Sequence, residues 1–172
     1  MKITSIKKSI FSAVVMLASA TMANAQSTAT ATATATVITP ISISKTADMS
    51  FGNLAVQSST GGTVVLAPAG TRTSTSGVTL PAAAGTVTAA AFTVNGSGSS
   101  TYAITLPSSV TLTRASGTET MSAASFTSNP SSTGALSSGT QNISVGATLT
   151  VAAGQVAGTY NSGNFDVTVN YN

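Results

Sequence analysis

Behind the first 25 residues, small apolar and small polar side chains alternate without a slip from Thr28 to Val37. A period of two puts Ala29, Ala31, Ala33, Ala35 and Val37 on one face of an extended chain and the threonines on the other. Threonine favours extended backbone, but a lone strand has nothing to pair with. The stretch therefore calls for a partner strand, in its own domain or in a neighbouring molecule. Ile41 and Ile43 resume the inward parity after Pro40, and Lys45–Asp48 reads as a turn.

Short strands follow, separated by glycine, proline and serine. Met49–Val56 forms one, with a bulge at Gly52, and Thr63–Ala67 and Val78–Leu80 form two more. Over Thr86–Asn95 the parity slips, because Val87 and Ala89 are out of phase with Phe92 and Val94, which predicts a bulge or two short strands. Tyr102–Leu106, Val110–Thr113, Thr120–Ser122, Ala124–Thr127, Ile143–Val145 and Leu149–Val151 continue the series. The last strand is the cleanest, with Phe165, Val167, Val169 and Tyr171 on one face and Asp166, Thr168, Asn170 and Asn172 on the other. Tyr160, at the approach to that strand, suits a tyrosine corner. Turn signals recur about every 8–12 residues, which points to an all-β protein, an antiparallel sandwich or barrel.

The first 25 residues change the charge picture. Lys2, Lys7 and Lys8 precede an apolar run from Ile10 to Met22, and Ala23-Asn24-Ala25 supplies a small-x-small cleavage pattern. Residues 1–25 read as a secretory signal peptide rather than an uncleaved anchor, with the mature chain starting at Gln26. Three of the six basic residues leave with it. Lys45, Arg72 and Arg114 then balance Asp48, Glu119 and Asp166, for zero net charge. Three scattered cations build no surface for nucleic acid, and no second long apolar run offers direct membrane insertion. A surface so poor in charge favours association.

Candidate chemistry is sparse. The chain has no His and no Cys, which removes imidazole bases, thiol nucleophiles and the usual zinc ligands. Three side-chain carboxylates, dispersed along the mature chain, suggest neither a glycosidase pair nor a calcium cage. Gly96-Ser97-Gly98 is turn chemistry rather than a phosphate loop. The expectation is a protein that is not an enzyme, with no catalytic residue, metal or cofactor.

The C-terminal pattern carries a resemblance. Tyr171 is a penultimate aromatic, and Gly158 lies fourteen positions before Asn172. With the alternating last strand and the N-terminal arm, this is similar to subunits of chaperone–usher pili. From about Thr34 onward the chain also resembles a family of small secreted bacterial proteins of unknown function, thought to be pilin-like. The segments that carry this second likeness are Ile41-Ser42-Ile43-Ser44-Lys45, Phe51-Gly52, Ser74–Val78, Tyr102–Pro107, Val145–Leu149 and Ala157–Tyr160. The chain departs from the better-known pilins in having no disulfide and very small residues along the arm.

The resemblance implies an immunoglobulin-like antiparallel sandwich over residues 38–172, incomplete and finished by a donor strand. On that reading residues 26–37 are the donor, with Ala29, Ala31, Ala33, Ala35 and Val37 as its inserting face. Gly158, Phe165, Val167, Val169 and Tyr171 line the receiving groove and last strand. Partners would be further copies in a head-to-tail filament, a periplasmic chaperone and an outer-membrane usher. The location would be the surface of a Gram-negative bacterium, reached through the periplasm. Burying four alanines and one valine contributes roughly 5 kcal/mol, and about eight ladder hydrogen bonds add ~0.5–1.5 kcal/mol each. The residues alone leave the arm open as a donor strand, a strand of its own domain, or an Ala/Thr-rich stalk. The alternative for the whole chain is a monomeric secreted sandwich that binds carbohydrate or protein.

Overall fold

One long strand organises the molecule, and its sequence carries an alternation longer than its turn-like centre suggests. Ile143, Val145, Ala147, Leu149 and Val151 share one parity and are all buried. The computed structural model describes residues 26–172, so the signal-peptide reading lies outside the described residues. The strands in chain order are β1 (Ser42–Ala47), β2 (Ser50–Phe51), β3 (Ala55–Val56), β4 (Gly62–Leu66) and β5 (Arg72–Ser74). Then come β6 (Val78–Thr79), β7 (Val87–Thr88), β8 (Ala90–Asn95), β9 (Thr101–Thr105) and β10 (Ser109–Arg114). The last are β11 (Thr120–Asn129), β12 (Thr133–Ala135), β13 (Thr140–Val151), β14 (Tyr160–Ser162) and β15 (Thr168–Tyr171). All the pairings are antiparallel, and no helix occurs among the described residues.

The main sheet runs β1-β8-β13-β11-β10-β14, with β4 also on β13 and β5 on β4. Strand β13 pairs with β8 through Val145 and with β4 from Ala147 onward, so two strands share its one edge end to end. The changeover falls at Gly146, where an added Cβ would lie 2.1 Å from the Leu66 carbonyl oxygen. Sequence reading makes Ile143–Val145 and Leu149–Val151 separate strands because Gly146-Ala147 looks like a break. The structure joins them, since Gly146 admits the neighbouring backbone while the alternation passes straight through it.

A second layer covers this sheet in pieces. The sheet β12-β9-β15 packs on one half, where Tyr102, Leu136, Val167 and Val169 meet Ala90, Phe92, Val94, Ile143 and Val145. The pairs β2–β7 and β3–β6 cover the other half, where Phe51 and Val78 meet Val64, Leu66, Met121, Ala123, Ala147, Leu149 and Val151. The fold is an all-β antiparallel sandwich.

Several local readings change. The turn expected over Lys45–Asp48 starts later, because β1 continues to Ala47 through a bulge between Lys45 and Ala47. An edge strand tolerates a solvated lysine, and Lys45 reaches Asp48 at 2.5 Å just beyond it. Met49–Val56 is two short strands interrupted at Gly52, whose φ is +67°. The slip over Thr86–Asn95 is resolved as two strands, β7 and β8, with different partners. Thr120–Asn129 is a single strand whose parity flips at Ser125 (φ +49°), as a bulge requires. The last strand is shorter than Phe165–Tyr171, since only Thr168–Tyr171 pairs, although the buried parity of Val167 and Val169 is as expected.

The chain divides into two units, one ending at Thr36 and the other running from Val37 to Asn172. Residues 26–40 are all exposed, and no ladder includes any residue from 26 to 41.

Candidate functional site

Between the two pieces of the second layer a cleft runs down toward the main sheet. A cavity of about 1140 Å³ opens there, walled on one side by Lys45–Val56 and on the other by Gln155–Asp166. Its floor is apolar: Leu112 of β10, Met121, Ala123 and Phe126 of β11, Leu149 of β13, and Phe92 of β8. A smaller cleft of about 410 Å³ shares Val110, Asn164, Phe165 and Asp166 with it.

Each wall is tied back to the body by one polar side chain. Arg72 of β5 donates from Nη1 to the carbonyl oxygens of Phe51 (2.5 Å) and Asn53 (2.6 Å), and from Nη2 to that of Ala84 (3.4 Å). One planar guanidinium thus straps the Phe51–Asn53 wall to the Ala84 loop. Gly52 sits inside this knot, where an added Cβ would lie 2.4 Å from the Ala84 oxygen. On the opposite wall, the Tyr160 hydroxyl donates to the Val156 carbonyl at 2.7 Å and accepts from Gln155 Nε2 at 2.8 Å. A tyrosine hydroxyl bonded to backbone four residues upstream is the tyrosine-corner geometry that its sequence position suggests.

Both walls also present unpaired backbone edges. Strand β14, at the end of the main sheet, pairs only with β10, and residues 163–166 of the same wall belong to no strand. On the facing wall β2 and β3 are each laddered along one side alone. Rows of open N–H and C=O groups over an apolar floor can accept a further strand.

The residues singled out in the sequence divide between groove and core. Gly158 and Phe165 line the groove. Gly158 has φ +150° and packs over the Arg114 side chain, 3.0 Å from an ideal Cβ, while the Phe165 ring sits 5.5 Å from that of Phe126. Val167 and Val169 belong to the buried core under β9 instead. Tyr171 is a pin: its hydroxyl accepts from the Ser97 N–H at 2.7 Å and donates to the Thr39 carbonyl at 2.8 Å. Ala29, Ala31, Ala33, Ala35 and Val37 are all solvent-exposed. The floor residues on β10 and β11 and the Arg72 strap escape sequence reading. The even-parity pair Val110 and Leu112 is the one signal for the floor, since two bulky residues on one face of a strand need a cover.

Charge plays a small part. Arg114 donates from Nε to Glu119 Oε2 at 2.6 Å and from Nη2 to Oε1 at 3.2 Å, and this side-chain bond holds the Glu119 carboxyl below its ordinary range. Burial pushes the Tyr102 phenol up. No group of three or more His, Cys, Asp or Glu side chains comes together among the described residues. Every aromatic ring among them is buried or half-buried, so none forms an exposed platform for a sugar.

Fold and groove define a class, an antiparallel β-sandwich whose second layer is interrupted by an open, strand-sized channel. Residues 41–171 match the family model described as a domain of unknown function, DUF4402. The chain belongs to that family. No curated protein matches the chain, and no solved structure does.

Proposed function

We propose that this chain is a structural subunit of a bacterial surface filament whose copies join by strand addition. The arm of one copy, residues 26–37, enters the groove of the next. The observation that carries the reading is the pairing of two unmet needs in one chain. A channel about 1140 Å³ in volume, with an apolar floor and polar walls, has strands on both walls that are laddered along one side only. An arm with strict two-residue alternation has no ladder partner and lies fully exposed. Strand addition satisfies both, with backbone bonds supplying affinity and alternate methyls covering the floor.

The joint is head to tail, since the donating arm and receiving groove are different surfaces. Such an interface generates an open chain of subunits rather than a closed pair. The zero net charge of the chain from Gln26 onward, with no repulsion to hold copies apart, favours the same outcome. The likeness to chaperone–usher pilus subunits adds export through the periplasm, with a chaperone covering the groove and an usher assembling the filament.

The test compares parities. Replacing Ala31 and Ala33 with Asp puts two carboxylates onto the apolar floor and should abolish filaments in electron micrographs and heat-resistant ladders on gels. The same charges at Thr30 and Thr32 face solvent and should leave both intact. Equal effects at the two parities would refute strand addition, because a flexible stalk is indifferent to parity.

A further inference from the structure

We propose that the joint has no single register. The arm of one copy occupies the groove of the next in several positions two residues apart, and the filament lengthens by slipping between them. This inference rests on the strand-addition reading above.

The reason lies in what the arm offers and what holds it. Ala29, Ala31, Ala33 and Ala35 are identical and share one parity, with threonine at every intervening position. A two-residue displacement places a methyl where a methyl was and returns each N–H to a facing C=O. A one-residue displacement lays threonine hydroxyls on Leu112, Met121, Ala123 and Phe126, so it is excluded. Registers are thus spaced by two residues of strand rise, about 6.7 Å. A donor carrying large side chains of unequal size would seat in one place only. An arm of uniform methyls has nothing to seat.

The base of the arm is anchored, which directs the slip. The Tyr171 hydroxyl donates to the Thr39 carbonyl at 2.8 Å and itself accepts from the Ser97 N–H at 2.7 Å, and β1 is laddered to β8 from Ser42 onward. Tension on the joint therefore reaches a fixed point at Thr39 and does not draw more chain out of the donor's own body. Free chain runs from Gln26 to Ile38, and the movement takes place in the acceptor groove. Val37 is 96% exposed and shares the alanine parity, whereas Ile38 is 50% exposed. Val37 adds the most apolar area when it too is inserted, so the deepest register is the resting one and shallower alanine registers are the extended ones.

The absence of cysteine from the sequence makes the test clean, because introduced thiols report only on each other. Filaments of the full-length exported protein would carry Leu112→Cys on the groove floor. Each variant would add one arm cysteine: Ala29→Cys, Ala31→Cys, Ala33→Cys, Thr30→Cys or Thr32→Cys. A disulfide needs Cα atoms about 4.4–6.8 Å apart, so a two-residue slip carries an arm cysteine out of reach. After mild oxidation, non-reducing gels should show that each of the three alanine positions traps a fraction of the joints, while the threonine positions trap almost none. Val110→Cys, on the same strand, serves as a second floor reporter where Leu112→Cys does not fold, and should give the same pattern. Trapping at one alanine position alone would overturn the slipping joint and leave strand addition standing. Trapping at no position, or equally at both parities, would overturn both.

Discussion

Removing the Arg72 guanidinium should loosen the groove before anything else. In Arg72→Met the stem remains and the fork disappears, leaving the Phe51 and Asn53 carbonyls without their 2.5 and 2.6 Å donors. The Ala84 carbonyl loses only a long 3.4 Å contact and keeps its 2.7 Å bond from the Asn53 N–H. Hydrogen bonds from a charged donor contribute about 1.5–3 kcal/mol each. Arg72 is half-buried and Asn53 exposed, so water replaces part of what is lost and the low end applies. Two bonds at that end, discounted, give about 2–3 kcal/mol. At roughly 3–5 °C per kcal/mol for a domain of this size, Tm should fall by about 6–15 °C. Arg72→Lys keeps the charge but not the fork, and should recover less than half of the loss.

Circular dichroism reads the global effect and amide exchange at Asn53 reads the local one. Exchange there should quicken more than at Leu149, which lies in the centre of β13. Heat-resistant ladders should weaken in parallel, since the loosened wall borders the groove. A Tm within about 1 °C of the parent, with unchanged exchange at Asn53, would refute the view that Arg72 straps this wall.

Other expectations follow from the core, the corner and the titrating groups. Val169→Asp places a carboxylate in the core cluster of Tyr102, Ile143 and Val167, and should cost several kcal/mol and lower the yield of folded protein; normal yield and unchanged Tm would refute the assignment of this strand to the core. Tyr160→Phe removes the bonds to Val156 and Gln155 and should cost about 1–2 kcal/mol in thermal melts, with faster exchange confined to the Gln155–Asn164 wall. Burial raises the Tyr102 pKa, so its neutral form stabilises the fold fully below the ordinary tyrosine value, and that contribution is lost as pH rises through the folded value. Denaturation midpoints should therefore fall above about pH 10, and Tyr102→Phe should flatten that limb.

What the sequence alone determines here is whatever depends on neighbours a few residues away. Two-residue alternation assigns the inward faces of the last strand, so Val167 and Val169 are legible as core from spacing alone. The Tyr160 corner is legible too, because its partner Val156 is four residues back. The all-β class follows from regular punctuation by Gly, Pro and Ser. The tertiary structure decides what depends on distant partners. It alone shows that β13 is one strand, because the strands meeting at its edge, β8 (Ala90–Asn95) and β4 (Gly62–Leu66), lie far upstream in the chain. It alone closes the Arg72 strap, whose acceptors lie 12 to 21 residues away. The groove itself is visible only in three dimensions, since a gap between two pieces of a layer is a property of neither piece. Its walls come from opposite ends of the chain, and local periodicity cannot say that Lys45–Val56 and Gln155–Asp166 flank one cleft.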